Sequence, residues 1–419
     1  MLIPFLKAKA RATFSNSQDP MAGVKNVLNF LDESGLYPEF HAISAGVNEA
    51  ECVIDGKKYL MFCSNNYLSL SEHPDVKQAA KDAIDKYGVG PGGSRVISGN
   101  VDIIEELEAA IADLVGTEDC LTFPTGYMAN IAVFQALMDP LFHDMPAKSA
   151  DSVIFSDEYN HGSIVDGCRL SKAKKVIFKH DDLDDLRKKL KENDLPNKLI
   201  VTEGVFSLDG EIINIPNYIS LAKEYGALLM IDDAHGIGVI GPKGGGTASH
   251  YGCTGGVDIT MGCMDKAFGG TGGFLCGSSN LIKYLRVASR SSILSSAIPV
   301  GMAGAMLKSI RLIKLFDSKR DEIIGKAVYV STKLKEIGFR VIERDPIPVV
   351  SLFVGKETQG ITFSNLLWEK GIFSPIIRWP AVPEGESRFR ILMMDSHKPE
   401  HLDRFISACE FAGKTLKLI

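Results

Sequence analysis

Hydrophobic residues in the middle of the chain fall into short, nearly continuous runs. The runs are rich in Val, Ile and Leu, and helical or loop segments separate them. Such runs are typical of strands that are buried on both faces, and therefore of a mostly parallel sheet covered by helices. The predicted strands are residues 152–155, 175–178, 199–202, 227–231, 257–261 and 273–276.

Before these runs, helical periodicity dominates the pattern. Residues 24–60 predict a helix and then a pair of short strands that turn at Asp55-Gly56, a hairpin signal. Two amphipathic helices follow, over residues 74–87 and 103–114. Pro74 is a helix start signal and Gly88 a stop signal for the first of them.

The pattern changes again after Pro299. A long helical stretch over residues 301–338 leads into shorter mixed elements, which indicates a separate, smaller α+β domain. The mixed elements are strands at 339–342, 349–353 and 388–394 and helices at 362–370 and 399–415. The predicted fold is therefore α/β in three parts: an N-terminal segment (1–60), a large α/β domain (61–300) and a small C-terminal α+β domain (301–419).

Composition narrows the functional classes. The 419 residues carry a net charge of −6, which argues against a nucleic-acid partner, because that role usually requires a basic face. The eight cysteines form neither a CxxC pair nor a Cys/His cluster, so we expect no disulfide and no metal site, and a reducing, cytoplasmic setting. Residues 1–11 are apolar and then basic, the reverse of a secretory signal, and allow at most peripheral membrane contact.

Lys266 is the first candidate for chemistry. It lies among small residues and glycines at 262–273, and an upstream strand ends at Asp232. In parallel sheets, ligands bind at the carboxyl ends of strands, where both residues should lie. A lysine amine that condenses with an aldehyde, and an acid that keeps a pyridine nitrogen protonated, are what pyridoxal 5'-phosphate (PLP) requires. The alternative is an ordinary surface lysine in a flexible loop.

Six motifs in order favour the PLP interpretation. They are residues 64–68, 90–95, 125–130, 160–167, 202–210 and 232–236. On these motifs, from about residue 35 to 412, the chain resembles the α-oxoamine synthases, fold-type I PLP enzymes with a large sheet domain and a smaller C-terminal domain. These enzymes join an amino acid to an acyl thioester with loss of carbon dioxide.

The resemblance implies a role for each catalytic candidate. Lys266 should bind PLP and later move the Cα proton of the substrate, and Asp232 should pair with the pyridine nitrogen. His161 should stack on the ring of the cofactor, while His235 should hydrogen-bond its hydroxyl or the incoming carbonyl.

Further candidates should hold the rest of the cofactor and the substrate. Backbone N–H groups of Gly126 and Tyr127 should bind the phosphate at a helix N-terminus, and Ser207 should contact the cofactor. A hydroxyl from the neighbouring subunit, Ser295 or Ser296, should complete the phosphate site, which implies a homodimer with shared active sites.

An arginine suits the substrate carboxylate because its guanidinium binds a carboxylate through two parallel hydrogen bonds. The family pattern matches Arg378 and Arg390, and Asn66 is a further substrate contact. Arg388 alternates onto the same strand face as Arg390 but is interpreted as a solvated strand residue.

The chain departs from the family pattern at a few positions. Ile104 replaces a usual histidine, Cys263 and Asp265 replace small or hydroxyl residues before the lysine, and Asp233 replaces a glutamate. These changes bear on substrate choice and on the geometry of the phosphate site.

The expected reaction is a decarboxylative Claisen condensation that gives an α-amino ketone. The full-length layout and residues 35–38 are most similar to serine palmitoyltransferase-type members. Glycine- or alanine-using members and a non-catalytic partner subunit are the alternatives. The acyl donor is expected to be carried by coenzyme A or by a carrier protein.

Overall fold

We describe the protein from a computed structural model, which covers residues 19–47, 49–140, 149–342, 344–379 and 381–419. The expectation of membrane contact concerned residues 1–11, which lie outside these ranges. Within them, no helix has both the length and the apolar character needed to cross a bilayer.

Helices and strands alternate along the chain. The helices are α1 (Ala22–Glu33), α2 (Pro74–Tyr87), α3 (Asp102–Val115), α4 (Gly126–Met138), α5 (Gly162–Leu170), α6 (Leu183–Lys191), α7 (Ile215–Tyr225), α8 (Thr247–His250), α9 (Ser279–Ala288), α10 (Arg290–Ile293), α11 (Val300–Ile313), α12 (Asp317–Glu336), α13 (Glu357–Glu369) and α14 (Pro399–Thr415). The strands are β1 (Ile43–Ala45), β2 (Glu51–Ile54), β3 (Lys57–Met61), β4 (Asp119–Phe123), β5 (Ser152–Asp157), β6 (Lys174–Phe178), β7 (Asn197–Glu203), β8 (Val205–Phe206), β9 (Glu211–Ile212), β10 (Ala227–Asp232), β11 (Ile259–Cys263), β12 (Gly273–Gly277), β13 (Val341–Ile342), β14 (Val349–Gly355), β15 (Ile372–Phe373), β16 (Ile376–Ile377) and β17 (Ser387–Leu392).

A seven-stranded sheet, here called the large sheet, forms the centre of the molecule. Its strand order is β4-β12-β11-β10-β7-β5-β6, and β12 runs antiparallel to both of its neighbours while the remaining pairs are parallel. Every residue of β5, β11 and β12 is buried, as the continuous apolar runs predict. The mostly parallel α/β fold is confirmed.

The C-terminal part has its own sheet, in the order β13-β14-β17-β16, with antiparallel pairing throughout. Its core includes buried side chains of α12, α13 and α14. The stretch predicted as one helix over 301–338 is divided, because α11 ends at Ile313 and α12 begins at Asp317. Side chains of α11 join the core of the larger unit, whereas those of α12 join both cores.

The N-terminal strands connect to the far end of the chain. The predicted hairpin is formed by β2 and β3, and its turn residues Asp55 and Gly56 have φ of 49° and 72°, a left-handed conformation that glycine adopts without strain. On its other edge β3 pairs in parallel with β15. Residues 51–61 are therefore held against the C-terminal part of the chain.

Candidate active site

The carboxyl ends of three neighbouring strands of the large sheet define the site. Asp232 is the last residue of β10, and its register partners are Glu203 at the end of β7 and Met261 of β11. Asp232 and Glu203 are both buried. The strand pattern therefore brings two acids to one edge of the sheet, next to the turn that carries Lys266.

Lys266 occupies a tightly packed turn between β11 and β12. The turn is closed by hydrogen bonds from Met264 N to Gly272 O (2.9 Å) and from Gly270 N to Met264 O (2.8 Å). Gly269 has φ +74°, and a Cβ at this position would lie 2.4 Å from Ser71 N. Because the backbone is enclosed in this way, the Lys266 side chain is held at 12% exposure, unlike that of a lysine in a flexible loop.

Negative groups surround the Lys266 amine. Its Nζ lies 3.5 Å from Asp265 Oδ1. Burial opposes the charged form, but Cys263, Asp265 and Asp232 together raise the pKa of Lys266 above its ordinary value. Burial also raises the pKa of the Cys263 thiol to about 12, so the two carboxylates supply the negative charge. Without a cofactor, the site favours the ammonium form of Lys266.

A chain of buried hydrogen bonds joins Asp232 to His161. Asn130 Nδ2 donates to Asp232 Oδ2 and to Ser163 Oγ, each at 2.8 Å. Ser163 Oγ lies 2.7 Å from His161 Nδ1, and Ser163 N donates to the same nitrogen at 3.2 Å. Because Nδ1 accepts these bonds, the assigned tautomer carries its proton on Nε2. The orientations of Asp232 and His161 are therefore linked.

Glu203 fixes the backbone at His161. His161 N donates to Glu203 Oε1 at 2.7 Å, and the His161 side chain caps the N-terminus of α5. Burial, together with the charge of Asp232, raises the pKa of Glu203 well above its usual range. Sequence analysis did not select Asn130, Ser163 or Glu203 individually, although each lies within a motif on which the family resemblance rests.

His235 faces the same space and pairs with Tyr67. Its Nδ1 lies 2.8 Å from the Tyr67 hydroxyl, and both side chains are buried. Burial, with the nearby charges of Lys266 and Arg390, lowers the pKa of His235 well below its usual value. His235 is therefore a neutral hydrogen-bonding group. Tyr67, which sequence analysis did not select, belongs to the 64–68 motif.

Glycines enclose the carboxylate of Asp233, next to His235. A Cβ on Gly204, Gly236 or Gly246 would lie 2.0–2.5 Å from an Asp233 oxygen. Thr247 N donates to Asp233 Oδ2 at 2.7 Å, and the Thr247 hydroxyl also donates to this carboxylate. Asp233, which replaces the family glutamate, thus holds the turn that follows β10 through its hydrogen bonds with Thr247.

Asp233 should make stability depend on pH. Burial raises its pKa from 3.8 to about 7, so over this interval the folded state holds a proton that the unfolded state releases. The stabilising contribution of the protonated group is therefore complete below pH 3.8 and is lost as the pH rises through 7, by up to about 4 kcal/mol. In Asp233→Asn, the urea midpoint should rise relative to the wild type as the pH increases from 4.5 to 8.

The exposed Asp258 supplies the control for this experiment. Its carboxylate accepts a hydrogen bond from Leu229 N at 2.8 Å, so Asp258→Asn also removes a charged acceptor of a backbone N–H group. The urea midpoint of Asp258→Asn should change with pH in the same way as that of the wild type. If the urea midpoints of Asp233→Asn and of the wild type changed in parallel with pH, the raised pKa assigned to Asp233 would be contradicted.

Gly126 and Tyr127 begin α4, as predicted. Thr125 caps this helix by accepting a hydrogen bond from Met128 N at 3.2 Å, and the first-turn N–H groups have no acceptor within the helix. A Cβ on Gly126 would lie 2.1 Å from Cys263 Sγ, so only glycine fits. The Tyr127 hydroxyl donates to Asp166. The group of Tyr127 that can bind an anion is therefore its backbone N–H group.

The remaining cofactor candidates are three serines in two loops. Ser207 lies in the turn between β8 and β9. Ser295 and Ser296 directly precede Ala297, whose N–H group donates to Gly93 O at 3.1 Å, so they lie beside the glycine-rich segment 88–93. Their contribution to a phosphate site remains a prediction.

The arginines differ in what they contact. Arg390 Nη2 lies 3.5 Å from Asn65 Oδ1, and the charge of Arg390 acts on Tyr67 and His235. Arg378 instead donates to the carbonyl oxygens of Gly35 and Leu36, at 3.0 and 3.1 Å. Arg390 is thus beside the site, whereas the Arg378 guanidinium is engaged with the N-terminal segment.

Arg388 and Asn66 are both buried and hydrogen-bonded. The interpretation of Arg388 as a solvated residue is wrong, because its side chain is 7% exposed and forms an ion pair with Asp209. The predicted substrate contact Asn66 is buried and donates from Nδ2 to Ser71 Oγ at 2.9 Å. Ile104, which replaces the family histidine, is fully buried in the core with Leu107.

The residues present fit PLP. An acid and a lysine lie at adjoining strand ends, a histidine is oriented by a buried network, and a helix N-terminus offers N–H groups where a Cβ would not fit. PLP needs such a lysine, pyridine partner and phosphate cradle. Among the described residues, no group of three His, Cys, Asp or Glu side chains is arranged to hold a metal ion.

Comparisons with known proteins agree with this geometry. The model of the family "Aminotransferase class I and II" matches residues 57–408. An 8-amino-7-oxononanoate synthase from Lysinibacillus sphaericus is 42% identical over 393 residues, covering 94% of this chain and 98% of the relative. A second, from Alkaliphilus metalliredigens, is 37% identical over 406 residues, covering 96% and 100%.

Solved structures point to the same group of enzymes. Serine palmitoyltransferase from Sphingomonas wittichii superposes with a TM-score of 0.88 at 27% identity, covering 97% of this chain and all of that one. An 8-amino-7-oxononanoate synthase from Francisella tularensis has a TM-score of 0.70 at 24% identity, which supports the fold alone. On these comparisons, the chain belongs to the class I and II aminotransferase family as one of its α-oxoamine synthases, a PLP-dependent acyltransferase.

Proposed function

We propose that the protein condenses alanine with a thioester of a seven-carbon dicarboxylic acid, releasing carbon dioxide and an α-amino ketone. The observation that carries the general reaction is the meeting of Lys266, Asp232, His161 and His235 around one edge of the large sheet. The choice of alanine and of a seven-carbon acyl group rests on relatives named 8-amino-7-oxononanoate synthase, which are 37–42% identical to this chain.

The name of this product defines its precursors. Carbons 8 and 9 form a CH(NH2)–CH3 unit, which is alanine without its carboxylate. Carbons 1 to 7 then form an acyl group with a carboxylate at its far end. The new bond joins C7 to C8, so the acyl thioester loses its thiol and the amino acid loses carbon dioxide.

When bound, PLP supplies an electron sink that stabilises negative charge on Cα of the substrate. Asp232 would hold the proton of the pyridine nitrogen, and His161 would pack against the ring in the orientation set by Ser163. Lys266 Nζ would take the Cα proton and return it after decarboxylation. Arg390 would hold the carboxylate of the amino acid, since it is the arginine beside His235.

Serine with a long-chain acyl thioester is the second candidate. Serine palmitoyltransferases superpose with a TM-score of 0.88 at 27–29% identity over 96–97% of the chain, which favours this choice. Sequence analysis placed serine first. The two amino acids differ by one hydroxyl group, so the discriminating contact lies at the substrate side chain.

A homodimer is part of the proposal. Exposed apolar residues border the glycine-rich segment and the Ser295–Ser296 pair: Val89 at 77%, Ile97 at 83% and Leu294 at 70% exposure. Large apolar side chains this exposed would be covered in a dimer whose interface lies here. Pairing across it would bring Ser295 or Ser296 to the partner's phosphate site. A cytoplasmic setting is proposed from the eight free cysteines.

A panel of amino acids tests the substrate. Alanine, serine and glycine are added separately to the PLP-loaded protein, and the visible spectrum is recorded. Alanine should change the spectrum at the lowest concentration, because its methyl group matches the proposed product. With the preferred amino acid present, pimeloyl- and palmitoyl-coenzyme A are then compared by mass spectrometry of the product.

Serine as the preferred amino acid, with a long-chain ketone as product, would replace the first candidate by the second. A PLP-loaded protein that responds to none of the three amino acids would refute the proposed reaction. Measurement of mass in solution tests the dimer independently, and a monomer that turns over at full rate would exclude shared sites.

A further inference from the structure

A short hairpin lies between His180 and the C-terminal sheet. Strands β8 and β9 form it, and Gly210 N donates to Phe206 O at 3.0 Å to close the turn between them. The turn carries Ser207 and Asp209. The position of Ser207 therefore depends on what holds this turn, here called the 205–212 hairpin.

Strand β9 of the 205–212 hairpin is fixed to the large sheet through His180. His180 Nε2 lies 2.9 Å from Glu211 Oε2, and Nδ1 lies 3.1 Å from Asp157 Oδ1. Burial opposes the charged imidazolium, but hydrogen bonds to Asp157 and Glu211 raise the pKa of His180 to about 10. A charged histidine thus bonds the hairpin to the end of β5.

The turn of the hairpin is fixed by β14 and β17 of the C-terminal sheet. Arg388 Nη1 donates to both oxygens of Asp209, at 2.9 and 2.8 Å, and Ser351 Oγ donates to Asp209 Oδ1 at 2.8 Å. The other Arg388 nitrogens donate to Glu386, from Nε to its carbonyl oxygen at 3.1 Å and from Nη2 to its carboxylate at 2.8 Å. Because only 7% of the Arg388 side chain is exposed, its guanidinium bonds to these partners rather than to solvent.

The strand that carries Arg388 also carries Arg390. Both lie on β17, two residues apart and therefore on one face, and Ser351 of β14 is the register partner of Arg390. A strand paired on both sides moves as one body, so a shift of β17 would displace Arg388 and Arg390 together. Asp209 transmits such a shift to the turn that bears Ser207.

We propose that Arg388 is a positioning residue, whose pair with Asp209 sets the place of Ser207 relative to Arg390 and so joins cofactor binding to substrate binding. The inference rests on the proposed contacts of Ser207 with PLP and of Arg390 with the amino acid carboxylate. Removal of one member of a buried ion pair leaves an uncompensated charge, so the turn must rearrange when Arg388 is lost.

Two binding constants test the proposal: the Kd for PLP, from titration of the apoprotein, and the Kd for the amino acid, from the visible spectrum of the loaded protein. In Arg388→Gln, both constants should rise by about tenfold or more. Arg388→Lys keeps one positive charge and should recover part of both losses. Asp209→Asn, which preserves the shape of the side chain, should resemble Arg388→Gln and serves if that variant does not fold.

Arg344 provides the matched control. It is an arginine 3.7 Å from Glu211 of the same hairpin, but it is 46% exposed, so Arg344→Gln should change both constants by less than about twofold. Arg388→Gln would overturn the proposal if it lowered the urea midpoint without changing either constant, or if it changed only one of them. If no amino acid altered the wild-type spectrum, the proposed reaction would fail, whereas an unchanged Kd for PLP in Arg388→Gln would by itself refute this inference.

Discussion

Replacing Lys266 with alanine should give a protein without the yellow colour of lysine-bound PLP and with product formation lowered by about 10²–10⁴-fold or more. The physical reason is that Lys266 is the enclosed amine of the site, held at 12% exposure beside Asp265. The variant loses both the covalent attachment of PLP and the group that moves the Cα proton. The absorbance of the purified protein and the rate of product formation check both losses.

Borohydride reduction provides the control. In the wild type, reduction should fix PLP irreversibly to one peptide, and mass spectrometry should identify that peptide as the one containing Lys266. The variant should show no modified peptide under the same conditions. Turnover retained in Lys266→Ala, or an adduct on a different lysine of the wild type, would contradict the role assigned to this residue.

A methyl group added at Gly126 should have the second largest effect. The new Cβ would lie 2.1 Å from Cys263 Sγ and 2.9 Å from Met261 Cε, so the first turn of α4 must move. Overpacking of this kind costs about 1–3 kcal/mol of stability. Because the displaced N–H groups are those proposed to bind the phosphate, the affinity for PLP should also fall by about tenfold or more.

The chain offers both a control and a rescue for this variant. Gly162 is likewise the first residue of a helix, but no atom lies within 4 Å of its would-be Cβ, so Gly162→Ala should be tolerated. Adding Cys263→Ala to Gly126→Ala removes the sulfur, so the new Cβ then meets the Cys263 Cβ at 3.7 Å and the flexible end of Met261, its Cε, at 2.9 Å. The double variant should regain much of the PLP affinity. An equal loss of PLP affinity in Gly126→Ala and Gly162→Ala would show that displacement of the first turn of α4 is not the cause.

The strand pattern was enough to place the central pair of the site. Asp232 and Lys266 follow apolar runs, and a mostly parallel sheet brings the ends of such runs to one edge. Burial of the strands on both faces leaves few alternative arrangements of these runs. The common sheet edge of both residues could therefore be predicted from hydrophobicity and glycine content, whereas the choice of PLP chemistry over a surface lysine depended on the six motifs of the family resemblance.

Partners distant in sequence could not be predicted in the same way. Asn130 bonds to an acid 102 residues away, and Arg388 to an acid 179 residues away. Alternation along β17 correctly placed Arg388 and Arg390 on one face, but it could not show that the 205–212 hairpin covers Arg388. The hydrogen bonds of Arg378 to Gly35 and Leu36 likewise depend on how distant segments meet.

The position of β4 at the edge of the large sheet has a consequence for folding. β4 leads directly into α4, yet it pairs with β12, a strand that lies some 150 residues later in the chain. During synthesis, β4 therefore has no strand to pair with until residues 273–277 have left the ribosome, and such long-range pairing is slow. The lysine turn precedes β12 immediately, and Gly273 of β12 lies against Gly126, so the lysine turn and the first turn of α4 should gain their support in a single late event.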